Sequence, residues 1–259
     1  MMKKLLAMLL VFALCAGCLA GCAEKADSDL AAIQEKGVLV VGITDYAPMD
    51  YKDENGEWTG FDAEFARLVA AELGVEVQFQ LIDWGKKFFE LESGEIDAIW
   101  NGMTITDEVL LNTSCSNPYV VNAQVVVMNA DVAAGYTDAA ALSGLTFAVE
   151  DESAGEGALK DAGIEGYIEV LDQATALMEV AAGTADACVI DITMANAMTG
   201  EGTGYPSLAI AMSLTQEEYG IGFRKGSDLT AAVNEIMAKL MADGTLQALA
   251  DKYELTLAG

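Results

Sequence analysis

Three polar segments follow apolar, strand-like runs in this 259-residue chain, and together they could hold a small charged solute. Ala98-Ile99-Trp100 runs into Asn101-Gly102-Met103-Thr104-Ile105-Thr106-Asp107. The run ending at Val149 leads into Glu150-Asp151-Glu152-Ser153-Ala154-Gly155, and the run ending at Ile190 leads into Asp191. In open α/β sheets, ligands sit in the crevice outside the carboxyl ends of the strands. Three such ends, drawn from both halves of the chain, point to one shared cleft. A carboxylate at a buried strand end needs a cationic partner, so Asp191 is the first candidate for contact with a cation. The chain has no histidine, which removes His-based acid–base catalysis, Ser-His-Asp triads and most zinc sites. No catalytic residue is identified, and no metal or cofactor is expected.

The first residues decide where this happens. Lys3 and Lys4 precede an apolar run, Leu5 to Ala16, too short to remain as a membrane span. Leu19-Ala20-Gly21-Cys22 resembles the lipobox of bacterial lipoproteins, which implies a signal peptide over residues 1–22 and diacylation of Cys22. The protein is then extracytoplasmic and lipid-anchored to the cell membrane, on its periplasmic side or at the cell surface. Residues 23–29 read as a tether. Loss of Lys3 and Lys4 takes the formal net charge from −28 to −30, which repels nucleic acids and anionic headgroups. Cys115 and Cys188 are expected as buried free thiols in different lobes.

Behind these candidates, short β-rich runs alternate with helical periodicity, the pattern of an α/β protein. Val38 to Ile43, Val75 to Ile82, Ala98 to Trp100, Gln124 to Met128, Thr146 to Val149, Ala187 to Ile190, Leu208 to Met212 and Gly220 to Phe223 read as strands. Phe61, Phe65, Leu68, Val69 and Leu73 share one helical face, and Gly74 follows as a stop. Helices are also expected at Lys86 to Glu92, Glu156 to Ala162, Ala174 to Ala182, Leu229 to Ala242 and Thr245 to Tyr253.

Several of these stretches resemble the solute-binding proteins of polar amino-acid ABC transporters. They are Gly60-Phe61-Asp62-Ala63-Glu64-Phe65, Asp83-Trp84, Gly102 to Thr106, Ser116-Asn117-Pro118-Tyr119, Asp186-Ala187 to Asp191, and Tyr219-Gly220-Ile221 with Asp243-Gly244-Thr245. The resemblance implies a two-lobed, type II periplasmic-binding-protein-like α/β fold, with residues 30–118 and 220–259 in lobe 1 and 119–219 in lobe 2. The hinge crossings fall near residues 119–123 and 215–219. By the same resemblance, Tyr46 and Trp84 sandwich the ligand. Gly102 gives a carbonyl and Thr104 a hydroxyl to its ammonium group, Asp191 pairs with that ammonium, and Asp45 contacts a ligand side chain. The implied function is capture of an amino-acid-like ligand by a monomer and delivery to an ABC permease, with no nucleic-acid partner and membrane contact through the lipid alone. The alternatives are a dehydratase-like secreted enzyme on the same fold and a receptor for a membrane kinase.

One part of the pattern is missing. The family holds the ligand α-carboxylate with an arginine a few residues past that threonine, and here Val109 occupies the position. No neighbouring residue replaces it in sequence. The remaining anion site is Ser153 with the amides of Ala154 and Gly155 at a helix start. With Glu150, Asp151, Glu152 and Asp191 near the cleft, a ligand with net positive charge or a masked carboxylate is expected.

Overall fold

Apolar runs buried on both faces form the central strands of two sheets. The computed structural model describes residues 28–259; the signal segment and Cys22 lie outside them. Strands β1 (Val38–Ile43), β2 (Tyr51–Lys52), β3 (Trp58–Thr59), β4 (Glu76–Leu81), β5 (Ala98–Thr104), β6 (Ser114–Cys115) and β7 (Val120–Asn122) come first. Strands β8 (Gln124–Asn129), β9 (Phe147–Glu150), β10 (Ile168–Val170), β11 (Ala187–Asp191), β12 (Leu208–Ser213) and β13 (Glu217–Phe223) follow. One sheet has the order β4-β1-β5-β13-β6, with β7 also on β13, and the other β10-β9-β11-β8-β12. The protein is therefore a two-lobed α/β structure. The chain passes between the lobes twice, from β7 into β8 and from β12 into β13, and β7 and β13 pair antiparallel.

Helix Phe61–Leu73 covers the first sheet because Phe61, Phe65, Ala66, Val69 and Leu73 all face inward. Phe65 meets Trp100 edge-on at 4.9 Å, and Phe61 stacks on Tyr119 at 6.0 Å. Gly74 ends the helix in the left-handed conformation, φ 76°, with its N–H returned to the last turn. Helices Leu229–Ala242 and Thr245–Lys252, after β13, pack back onto this lobe. Arg224 ties the chain's return to its beginning through Asp29 and Asp97, 3.1 Å from each.

Several sequence expectations are corrected. The tether over residues 23–29 overruns, since Ser28 caps helix Asp29–Lys36 by accepting the Ala31 N–H, and Asp29 pairs with Arg224. The strand at Ala98 to Trp100 continues to Thr104 because Met103 and Thr104 pair with Gly220 and Tyr219 of β13. The polar letters of Asn101 to Thr104 suggest a loop, but all four residues are buried. Cys115 and Cys188 are free thiols on β6 and β11, in different sheets; Cys188 is buried, while Cys115 is only half-buried.

Candidate functional site

The carboxyl ends of β1, β5, β9 and β11 open onto one cleft of about 340 Å³. Seven expected residues line it: Tyr46, Trp84, Gly102, Thr104, Ser153, Ala154 and Asp191. Asp45 does not; its carboxyl is exposed, with its pKa raised by partial desolvation and by Asp172. Asp45 therefore sits outside the lining.

The base of the cleft is built from two carboxylates. Asp191 ends β11 and is 3 % exposed. It accepts from the side-chain amides of Gln124 at 2.7 Å, Asn122 and Gln173, and its own N–H reaches Gln173 Oε1 at 2.9 Å. Glu217, which opens β13, accepts from the same Asn122 and Gln124 amides at 2.6 and 2.7 Å, and from Thr104 Oγ1 at 2.7 Å. Among the described residues neither carboxylate has a lysine or arginine within 4.0 Å. Burial, then the neighbouring Glu217, pushes the Asp191 carboxyl up to about 7. Glu217 lies on the Tyr219 and Ile221 face of β13, an alternation visible in sequence; read as part of a hinge crossing, it was missed as a site residue.

The walls come from the strand ends. Asn101 locks the end of β1 to β5, accepting from the Thr44 N–H at 2.9 Å and donating to its hydroxyl at 2.7 Å. Gly102 sits at φ 57°, where a Cβ would come within 2.6 Å of the Tyr46 ring, so the contact requires glycine. Its N–H donates to the buried Asp62 carboxylate at 2.6 Å. The Tyr46 hydroxyl is committed to Thr193, 2.6 Å away in the other lobe, and to Tyr219, which leaves its ring as the part facing the cleft. Ser153 caps helix Ala154–Asp161 by accepting the Glu156 N–H at 3.2 Å. Gly155 packs behind the cleft against Gln124 and β11 and does not line it.

Trp84 lines the cleft yet is only 8 % exposed, within an apolar cluster that includes Leu91, Ile99, Met103 and Val109. Trp84→Ala is therefore expected to lower stability by about 3 kcal/mol as well as weaken binding. Trp84→Phe should restore most of the stability; equal affinity of Phe and Ala variants for ligand would return the residue to a packing role.

The sequence offers no cation in place of the missing arginine, only the helix start at Ser153. The structure brings Lys87 into the cleft, 4 % exposed, on the inward face of helix Lys87–Ser93 with Leu91 one turn later. That four-residue spacing is a legible signal, although the helix expected at Lys86 to Glu92 was given no site residue. Burial lowers the Lys87 pKa, opposed by surrounding acidic groups, Glu108 first. Glu150, buried nearby, is pushed well above the usual carboxylate range by burial, then by Asp191 and Asp172.

This architecture, two α/β lobes with a polar cleft between strand ends and two crossings, defines the type II periplasmic-binding-protein-like class. The chain belongs to the bacterial extracellular solute-binding proteins, family 3, which match it over residues 39–256. It is 30 % identical to the L-cystine-binding protein TcyJ of Escherichia coli over 242 residues, 90 % of each chain. It is similar to an arginine-bound ArgBP variant from T. maritima, with 31 % identity, TM-score 0.75, and 82 % and 99 % of the two chains covered. It is also similar to AncCDT-1, an ancestral amino-acid-binding protein and precursor of cyclohexadienyl dehydratase, with 32 % identity, TM-score 0.80, and 87 % and 99 % covered.

Proposed function

We propose that this protein is a lipid-anchored extracytoplasmic receptor that captures a small amine-bearing solute, an amino acid or amino-acid-like compound, and delivers it unchanged to an ABC permease. The observation that carries the reading is the Asp191–Glu217 pair: two carboxylates share amide donors at the base of a cleft, with no protein cation beside them among the described residues. A cation keeps both carboxylates ionised, and an ammonium group supplies both the charge and the hydrogen bonds. Relatives named for cystine and arginine binding support an amino-acid ligand. Glu150 and Glu152 on the second lobe, and Asp107 and Glu108 on the first, also line the cleft, so ligands with net positive charge are favoured over acidic ones. The protein acts as a monomer through binding and release, without catalysis.

Calorimetry of the soluble form, residues 23–259, against amino acids and amines tests this. Basic amino acids or diamines should bind, and at a hundredfold Kd the ligand should stabilise the fold by about 2.7 kcal/mol. Glutamate or aspartate binding more tightly than every cationic ligand would overturn the assignment. Cys22→Ala should abolish acyl labelling and move the protein from membrane to soluble fractions; unchanged membrane fractionation would remove the lipid anchor from the proposal.

A further inference from the structure

Lys87 is the single cationic side chain lining the cleft among the described residues. It occupies a buried helix position beside Leu91 that an apolar residue would fill at no electrostatic cost. Among the described residues no carboxylate lies within 4.0 Å of its ammonium. Nζ donates instead to two carbonyls, Trp84 O at 3.3 Å and Glu152 O at 2.9 Å, one from each lobe. The Trp84 and Phe88 rings each lie 4.9 Å from it. An ammonium has three N–H donors, so two carbonyls leave one donor for the cleft. Glu152 holds an uncommon left-handed conformation for a residue with a side chain, φ 55°, directly before the Ser153 cap. The carbonyl that crosses to Lys87 thus comes from a backbone position kept despite its conformational cost.

Val109 lies in the same apolar cluster as Trp84 and Phe88 and lines the same cleft. We infer that Lys87 binds the ligand's carboxylate, supplying from the helix after Trp84 the positive charge that Val109 does not provide. The inference rests on the amine-binding reading above and narrows it. With a carboxylate pair at the base and one oriented ammonium on the wall, the cleft is complementary to a zwitterion, an α-amino acid with a free carboxylate. Any additional positive charge on that amino acid would answer the remaining acidic side chains. Of the two expected ligand types, net positive charge or a masked carboxylate, this favours the first, with the carboxylate free.

Matched pairs that differ only in the carboxylate make the test: arginine with agmatine, histidine with histamine, cystine with cystamine. Affinities are measured by calorimetry on wild type, Lys87→Met and Lys87→Arg. Wild type should prefer the amino acid in at least one pair by about tenfold or more, the ratio set by ~1.4 kcal/mol. Lys87→Met should abolish that preference while leaving the amine's affinity within about threefold, and Lys87→Arg should retain it. Methionine matches the lysine stem and removes a buried charge, so folding is expected to survive, and thermal unfolding checks it. Undiminished preference in Lys87→Met, or no preference in wild type that binds the amines, overturns the role of Lys87 alone. Failure of wild type to bind either member of every pair overturns the amine-binding reading and this inference together.

Discussion

Replacing Asp191 with Asn is expected to weaken binding of an amine or amino-acid ligand at pH 8 by roughly 30- to 4,000-fold, the range spanned by 2–5 kcal/mol for losing one partner of a buried, hydrogen-bonded charge pair. The asparagine amide would also confront the donors of Gln124 and Asn122, which now point at a carboxylate. A pH signature separates this from a loss of shape. The free-state carboxyl of Asp191 is pushed up to about 7 by burial and by Glu217. An ammonium ligand stabilises the ionised form and lowers that pKa, so wild-type affinity should rise from pH 5.5 to pH 8, with proton release on binding. Calorimetry in two buffers of different ionisation enthalpy measures the release. The profile should flatten in Asp191→Asn. A loss smaller than about threefold, with the wild-type pH slope retained, would place the ammonium elsewhere.

Ligand-free stability should move the opposite way with pH. Asp50 and Asp62 are buried side by side under the cleft, and both oxygens of Asp50 lack a hydrogen-bond partner among the described residues. Burial, then Asp62, raises the Asp50 carboxyl well above its ordinary value; burial lifts Asp62 to about 7. Asp191 also stands at about 7, and Glu150 is raised by burial, then by Asp191. Each carboxyl binds its proton more tightly in the folded protein than in the unfolded chain. For Asp62 and Asp191 the resulting stabilisation is fully present below the ordinary carboxylate pKa near 4 and is lost as pH rises through about 7. For Asp62 and Asp191 it is on the order of 4 kcal/mol each. The melting temperature should therefore be about 10 °C or more higher at pH 5 than at pH 8. Asp62→Asn should reduce the slope by removing one titration. A melting temperature that climbs from pH 5 to pH 8 would contradict these protonation states.

The pattern of elements was legible wherever burial dictates letters. Val38 to Ile43 and Ala187 to Ile190 are apolar because both faces of those strands are covered, and the period of Phe61, Phe65, Val69 and Leu73 ends at Gly74 because only that residue's conformation closes the helix cheaply. Asn101 to Thr104 misled because their burial depends on β13, a strand more than a hundred residues later, whose pairing draws polar side chains inside. Helix Ile192–Met198 went unread because it is short and follows β11 without a break, and strand β10 because it has only three residues.

Asp191 was found from sequence alone because a carboxylate closing an apolar strand has few structural explanations. The absence of an arginine at Val109 was equally plain, and with it the acidic character of the loops. Which carboxylate stands beside Asp191, and which cation lines the same cleft, was decided only by tertiary structure. Glu217 reaches the cleft because β13 returns antiparallel to β5 and β7, and Lys87 because a single turn after Trp84 rotates it inward against the Glu152 carbonyl. Local sequence encodes burial through the period of its own element. That Asp191, Glu217 and Lys87 line one cleft depends on how two sheets are set against each other, and no local period records that.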